Sequence, residues 1–127
     1  MGHLLDTNAL IFYLYDPEQL SKAALDIVYS KKNQIYVSIV SLWEIAIKSS
    51  IGKLKIKNSM EEIAGICLKY EIKLLAINPQ HLDKIADLPQ IHGDPFDRLI
   101  ISQALMENLT IVTKDSIIPK YDVNTVW

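Results

Sequence analysis

The chain has 127 residues, 50% of them apolar, a formal net charge of −2 and one cysteine. That length accommodates a single domain, residues 1–127, with room for a core but not for two ordinary domains, and one cysteine rules out an internal disulfide framework. The longest apolar run, residues 9–15, is far below the ~20 needed to cross a bilayer, and the first fifteen residues hold no Lys or Arg, so the expectation is a cytoplasmic protein without a membrane span. The slight negative charge argues against a general nucleic-acid binder.

In chain order, "HLLD" reads as a short first strand and "TNALIFYLY" as a helix ended by Asp16-Pro17. "SKAALDIVYSKK" predicts a second helix, capped by Ser21, with lysines near its C-terminal end. "QIYVS" is β-branched and aromatic, a strand. "IVSLWEIAIKSSIG" has helical spacing, with Val40, Trp43, Ile47 and Ile51 on one stripe and Gly52 just past its end. Ser59 and Glu62 form a capping box before "IAGICLKYE", where Cys67 reads as a small buried hydrophobe. "IKLLAI" is a buried strand and "PQHLDKIADLP" a short helix between prolines. "GDPFDRLIISQALMEN" carries the strongest helix signals, with Asp94 at the N-cap, Pro95 at the first position and Asn108 at the end. "LTIVTK" is a strand and "VNTVW" an edge strand. Short, continuously apolar strands alternating with helices predict a mainly parallel sheet covered on both faces, an α/β sandwich.

In such folds ligands gather at the carboxyl ends of the strands. Asp6 ends the first strand, and Asp115 lies just beyond the strand "LTIVTK". Asp97 is at the third position of its helix, and Glu44 lies in the helix after "QIYVS". In a parallel sheet all four share one rim. Converging carboxylates repel and call for a cation, and hard oxygen ligands without His or Cys suit Mg²⁺ or Mn²⁺. Metal-assisted phosphoester hydrolysis is the matching reaction class. Charge is also segregated along the chain: residues 48–73 hold six lysines against three glutamates, and residues 83–97 four aspartates against one lysine.

Each acid also has a structural reading. Asp6 can cap the helix after it, Glu44 can pair with Lys48 one turn on, and Asp115 can be a turn residue. Asp94 is best explained as a cap, which leaves Asp97 freer to bind metal, although an acid in the first turn also favours the positive helix end. On this alternative the chain is a catalytically silent binding module.

Four segments, "LLDTN", "SIVSLWEIAIK", "DPFDRLIISQA" and "LTIVTKD", together resemble PIN-domain ribonucleases, most closely the VapC toxins of toxin–antitoxin pairs, in the order seen there and across almost the whole chain. The resemblance implies a PIN-like three-layer α/β/α sandwich and a Mg²⁺- or Mn²⁺-dependent endoribonuclease that leaves a 5′-phosphate. It carries the family's four acids onto Asp6, Glu44, Asp97 and Asp115, and its supporting polar positions onto Asn8 and Thr113, with Asp94 beside them. Close relatives tend to have a basic residue where this chain has Gly93. Arg98 would either reach the RNA backbone or pair with Asp94, and Lys48 is the other candidate RNA contact. The implied partners are RNA, a cognate antitoxin and a second copy of the chain, with the helix bearing Phe12, Tyr13 and Tyr15 supplying either an antitoxin groove or core packing.

Other Asp-bearing α/β folds fit poorly. A dehalogenase-type phosphatase needs a second acid where this chain has Asn8, a receiver domain needs paired acids near the first strand, and a dinucleotide-binding fold needs a glycine-rich first turn, whereas no glycine lies between Gly2 and Gly52.

Overall fold

The computed structural model describes residues 2–127. Five strands, β1 (Gly2–Leu5), β2 (Gln34–Ser38), β3 (Ile72–Leu75), β4 (Thr110–Val112) and β5 (Thr125–Val126), form one sheet in the order β3-β2-β1-β4-β5. Every neighbouring pair is parallel. The α-helices among the described residues are α1 (Thr7–Tyr15), α2 (Lys22–Tyr29), α3 (Ile39–Ser50), α4 (Met60–Lys69), α5 (Pro79–Ile85) and α6 (Pro95–Glu107).

Register explains the layers. Leu5 is in register with Val37 and Val112, and Leu4 with Tyr36 and Ile111. Successive side chains alternate faces, so the two sets enter different cores. Leu5, Val37 and Val112 pack with Leu10 of α1, Ala24 of α2 and Ile63 and Cys67 of α4. Leu4 and Ile111 pack with Ile100, Ile101 and Ala104 of α6. Each fully buried Leu or Ile contributes roughly 1.5–3 kcal/mol. This is the expected three-layer α/β/α sandwich. Helix α3 contacts both α1 and α6, and sends Val40 into one core and Ile45 into the other.

Each of these six α-helices begins at a side-chain cap. Asp6, Ser21, Ser38, Ser59, Asn78 and Asp94 each accept from a backbone N–H of the first turn. At Ser59 the full capping box with Glu62 forms. Helix α6 stops at Asn108, whose φ of 56° is the left-handed conformation that ends a helix.

Two local expectations need correction. Helix α2 ends at Tyr29, short of the expected end at Lys32, so Lys31 and Lys32 lie beyond it. In α3 the buried residues are Val40, Ser41, Leu42, Glu44 and Ile45, while Trp43 is 52% and Ile51 60% exposed. Trp43 packs edge-on against Phe96 of α6, with ring centroids 5.1 Å apart, and this lateral contact turns Glu44 inward. Among the described residues no helix is long and apolar enough to cross a membrane.

Candidate functional site

The capping logic that starts α1 and α6 also sets the positions of Asp6 and Asp97. Asp6 follows β1; its Oδ1 accepts from Ala9 N at 2.8 Å and its Oδ2 from the Thr113 hydroxyl at 2.5 Å. Thr113 follows β4 and its Oγ1 also accepts from Asp115 N at 3.0 Å. The ends of β1 and β4 are thus joined through one hydroxyl. Asp115 Oδ2 accepts from Ile117 N and Ile118 N, which fixes the turn after β4. Asp94 Oδ1 accepts from Phe96 N and Asp97 N as the cap of α6, which leaves Asp97 one turn inside.

Two buried bonds set α3 against this frame. Thr7 of α1 donates to Ser41 at 3.0 Å, and Ser38, the cap of α3, donates to Gln103 of α6 at 2.5 Å. Glu44 is 6% exposed and its Oε2 accepts from Lys48 Nζ at 2.7 Å.

As a result Asp6, Glu44, Asp94, Asp97 and Asp115 line one cavity of about 160 Å³ together with Thr7, Asn8 and Lys48. Five carboxyl groups face a single ammonium there. A neighbouring hollow of about 130 Å³ continues past Asp6, Asn8 and Asp115 to Phe12 and Lys114. Larger hollows lie elsewhere, around Tyr13, Tyr29 and Tyr70, but their linings lack such a set of carboxylates.

Two of the acids, Asp6 and Asp97, are shifted by their surroundings. Burial pushes the Asp6 carboxyl up to about 6; the Thr113 and Ala9 hydrogen bonds oppose this, and the charges of Asp97 and Asp115 add to it. Burial also raises Asp97, against the His92 hydrogen bond and with help from Asp94, Asp115 and Glu44. The Lys48 ammonium is held protonated above its usual range chiefly by its bond to Glu44, with burial opposing and Asp94 and Asp97 contributing. Buried carboxyl groups raised further by neighbouring negative charge are groups that a cation would stabilise as anions.

No group of three or more His, Cys, Asp or Glu side chains among the described residues stands arranged to hold a metal ion as it is. Asp6, Glu44, Asp94, Asp97 and Asp115 each have at least one oxygen engaged by a protein donor. The donor chemistry nonetheless fits a hard divalent cation, being carboxylate throughout, without thiolate, in a cavity where negative charge is in excess.

A family profile described as PIN domain matches residues 3–124. The chain belongs to the PIN-domain family. Nothing among curated protein sequences matches it. Among solved structures it is similar to a chain of VapBC2 from Rickettsia felis, a complex bound to a promoter DNA fragment, with 20% identity, a TM-score of 0.75 and coverage of 99% of this chain and 98% of that one. It is also similar to a chain of VapBC-1 from nontypeable Haemophilus influenzae, with 17% identity, a TM-score of 0.67 and coverage of 99% and 97%. FitAcB from Neisseria gonorrhoeae matches at 18% identity and a TM-score of 0.65, covering 98% and 96%. At these identities the likeness is one of fold.

Within this PIN domain Asn8 is exposed at the mouth of the acidic cavity, and Thr113 is buried beneath it. Arg98 needs correction: it meets neither reading made from the sequence. It is 7% exposed, and its guanidinium donates to Pro89 O at 2.8 Å, to the Tyr121 hydroxyl at 3.0 Å and to Ile85 O at 3.4 Å. A buried cation satisfied by two carbonyls and a phenol ties α6 to the chain on either side of it. Of the aromatics on α1, Phe12 and Tyr13 pack partly buried against the core, whereas Tyr15 is 41% exposed and donates to Asn58. Sequence reading missed His92, whose ring meets Asp97, because its other partner, Tyr121, lies 29 residues further on.

Proposed function

We propose that this PIN domain is a Mg²⁺- or Mn²⁺-dependent endoribonuclease and the toxin of a toxin–antitoxin pair. One observation carries the reading: carboxylates from α1, α3, α6 and the turn after β4 line a single cavity at the carboxyl edge of a parallel sheet. PIN domains are generally nucleases. Asp6, Glu44, Asp97 and Asp115 would hold the cation, with Asp94 fixing the start of α6. A bound divalent ion supplies Lewis acidity that offsets phosphate charge and makes water more acidic. The protein's own part is positional. Thr113 orients Asp6, Ala9 N–H fixes its second oxygen, and Lys48 steadies Glu44 while keeping positive charge at the wall where a phosphate would enter.

Titrating Mn²⁺ into the protein by calorimetry tests this. Wild type should bind, and an Asp6→Asn, Asp97→Asn double variant should not. Asn caps a helix about as well as Asp, so Asp6→Asn keeps the start of α1, and Asp97 is not the cap of α6. Cleavage of RNA should require the added ion and cease with a chelator. The silent-module alternative has support of its own, since Asp6, Asp94 and Asp115 all bond backbone N–H groups. It predicts no Mn²⁺ heat in either protein.

The antitoxin belongs to the same proposal. Its support is the likeness to chains of VapBC and FitAcB structures and a hollow of about 480 Å³ lined by Tyr13, Tyr15, Tyr29, Ile66 and Tyr70. A homodimer completes the reading, and sedimentation of the isolated chain decides it.

A further inference from the structure

Beside the acidic cavity lies a chain of hydrogen bonds that the proposed chemistry leaves unused. Tyr121 is 1% exposed. Its hydroxyl meets four groups: His92 N at 3.2 Å, Arg98 Nη1 at 3.0 Å, His92 Nδ1 at 2.6 Å and His92 O at 3.3 Å. A phenol has one proton to give and two lone pairs with which to accept. The His92 N–H and the guanidinium can only donate, and together they occupy both lone pairs. The single phenolic proton must therefore be given, and the 2.6 Å partner, Nδ1, takes precedence over the carbonyl at 3.3 Å. A ring nitrogen that accepts carries no proton, so the hydrogen of a neutral imidazole sits on Nε2. That atom is 3.1 Å from Asp97 Oδ2.

Resting on the nuclease reading of the cavity, we propose that His92 is a positioning residue for Asp97, locked by Tyr121 and Arg98 as the Nε2–H tautomer so that it always presents a donor to that carboxylate. The relay runs from a buried cation through a phenol and an imidazole to a carboxylate of the acidic cavity. Its direction is set at the Arg98 end, because a guanidinium cannot accept. Outer partners of this kind fix the orientation of a metal-binding group, and their loss typically weakens metal affinity about tenfold to a hundredfold. Arg98, enclosed and away from the cavity lining, thus acquires a role at the site through two intermediaries.

The test combines two readouts on the full chain. Long-range ¹H–¹⁵N spectra at pH 8 should show His92 as a single Nε2–H tautomer with Nδ1 hydrogen-bonded, and Tyr121→Phe should move Nδ1 towards the position of an unbonded ring nitrogen. In Mn²⁺ calorimetry His92→Leu should bind about tenfold to a hundredfold more weakly than wild type. His92→Gln, which keeps an N–H donor for Asp97, should recover most of that loss. An Nδ1–H or doubly protonated ring overturns the relay, as does a His92→Leu protein that binds Mn²⁺ like wild type, or a Gln variant no better than Leu. If His92→Leu fails to fold by circular dichroism, the wild-type spectrum and the Gln variant decide. A wild type that binds no Mn²⁺ overturns the nuclease reading and the positioning role with it, whereas loss of the tautomer alone overturns only the latter.

Discussion

Thr113 donates to Asp6 across 107 residues of sequence, and the bond closes the gap between the adjacent strands β1 and β4 at their carboxyl ends. The same hydroxyl accepts from the backbone of Asp115, so one side chain sets the spacing of two acids of the cavity. Thr113 is itself 3% exposed, which leaves water little scope to take over.

Thr113→Val keeps the shape and removes the hydroxyl. The Thr113 bond is the largest influence holding the Asp6 carboxyl down against its burial, so Asp6 should titrate at higher pH in the variant. The pH profile of cleavage should shift to the alkaline side, and stability should fall by about 1 kcal/mol for the lost buried bond. An unchanged profile would show that Asp6 is not needed as an anion.

The metal-free protein should lose stability as pH rises through the Asp6 titration. Asp6 has a folded pKa of about 6 against the ordinary aspartate value of 3.8, so the folded state binds the extra proton. The resulting stability is fully present below about pH 4 and lost as pH passes about 6, a change on the order of 3 kcal/mol. Asp97, also raised, contributes in the same direction. Urea unfolding in chelator from pH 4 to 8 measures it; Asp6→Asn should flatten the curve, and excess Mn²⁺ should restore stability at pH 8.

Asp97→Asn separates chemistry from folding. The substitution removes a charge whose neighbours disfavour it, so metal-free stability at pH 8 should equal or exceed that of wild type. Cleavage should fall by more than the roughly hundredfold that loss of an outer partner costs. A drop of several kcal/mol in chelator would instead make Asp97 a structural residue of the first turn of α6.

The caps made much of this fold readable in advance. Ser59 with Glu62, Asp94 with Pro95, and Asn108 mark helix ends by local chemistry that needs no distant partner. Strand order left no such mark: nothing local says that β1 sits between β2 and β4, although that placement is what joins Asp6 to Thr113. In α3 the apolar spacing puts Trp43 and Ile51 on one stripe with Val40, yet both are exposed. In the folded chain Trp43 packs sideways on Phe96 at the surface, and Glu44 can be buried because Lys48 is one turn away. Arg98 and His92 were unreadable for one reason, that both depend on Tyr121.

Lys48 and Arg98 should part company in RNA binding. Lys48 has 40% of its side chain exposed and lines the acidic cavity, so its ammonium is open to a phosphate. Replacing it with Ala should weaken RNA binding across sequences and reduce the slope of log affinity against log salt by about 0.7 to 1, the signature of one lost phosphate contact. Arg98 is enclosed, and its partners are the Pro89 and Ile85 carbonyls and the Tyr121 hydroxyl. Arg98→Ala should leave the salt slope unchanged and lower stability by roughly 3 kcal/mol, because it leaves buried acceptors unpaired and a cavity behind. Arg98→Lys should not rescue it, since one ammonium cannot span both carbonyls as the planar fork does. A salt slope that falls in the Arg98 variants and not in Lys48→Ala would mean that α6, not α3, meets the RNA backbone.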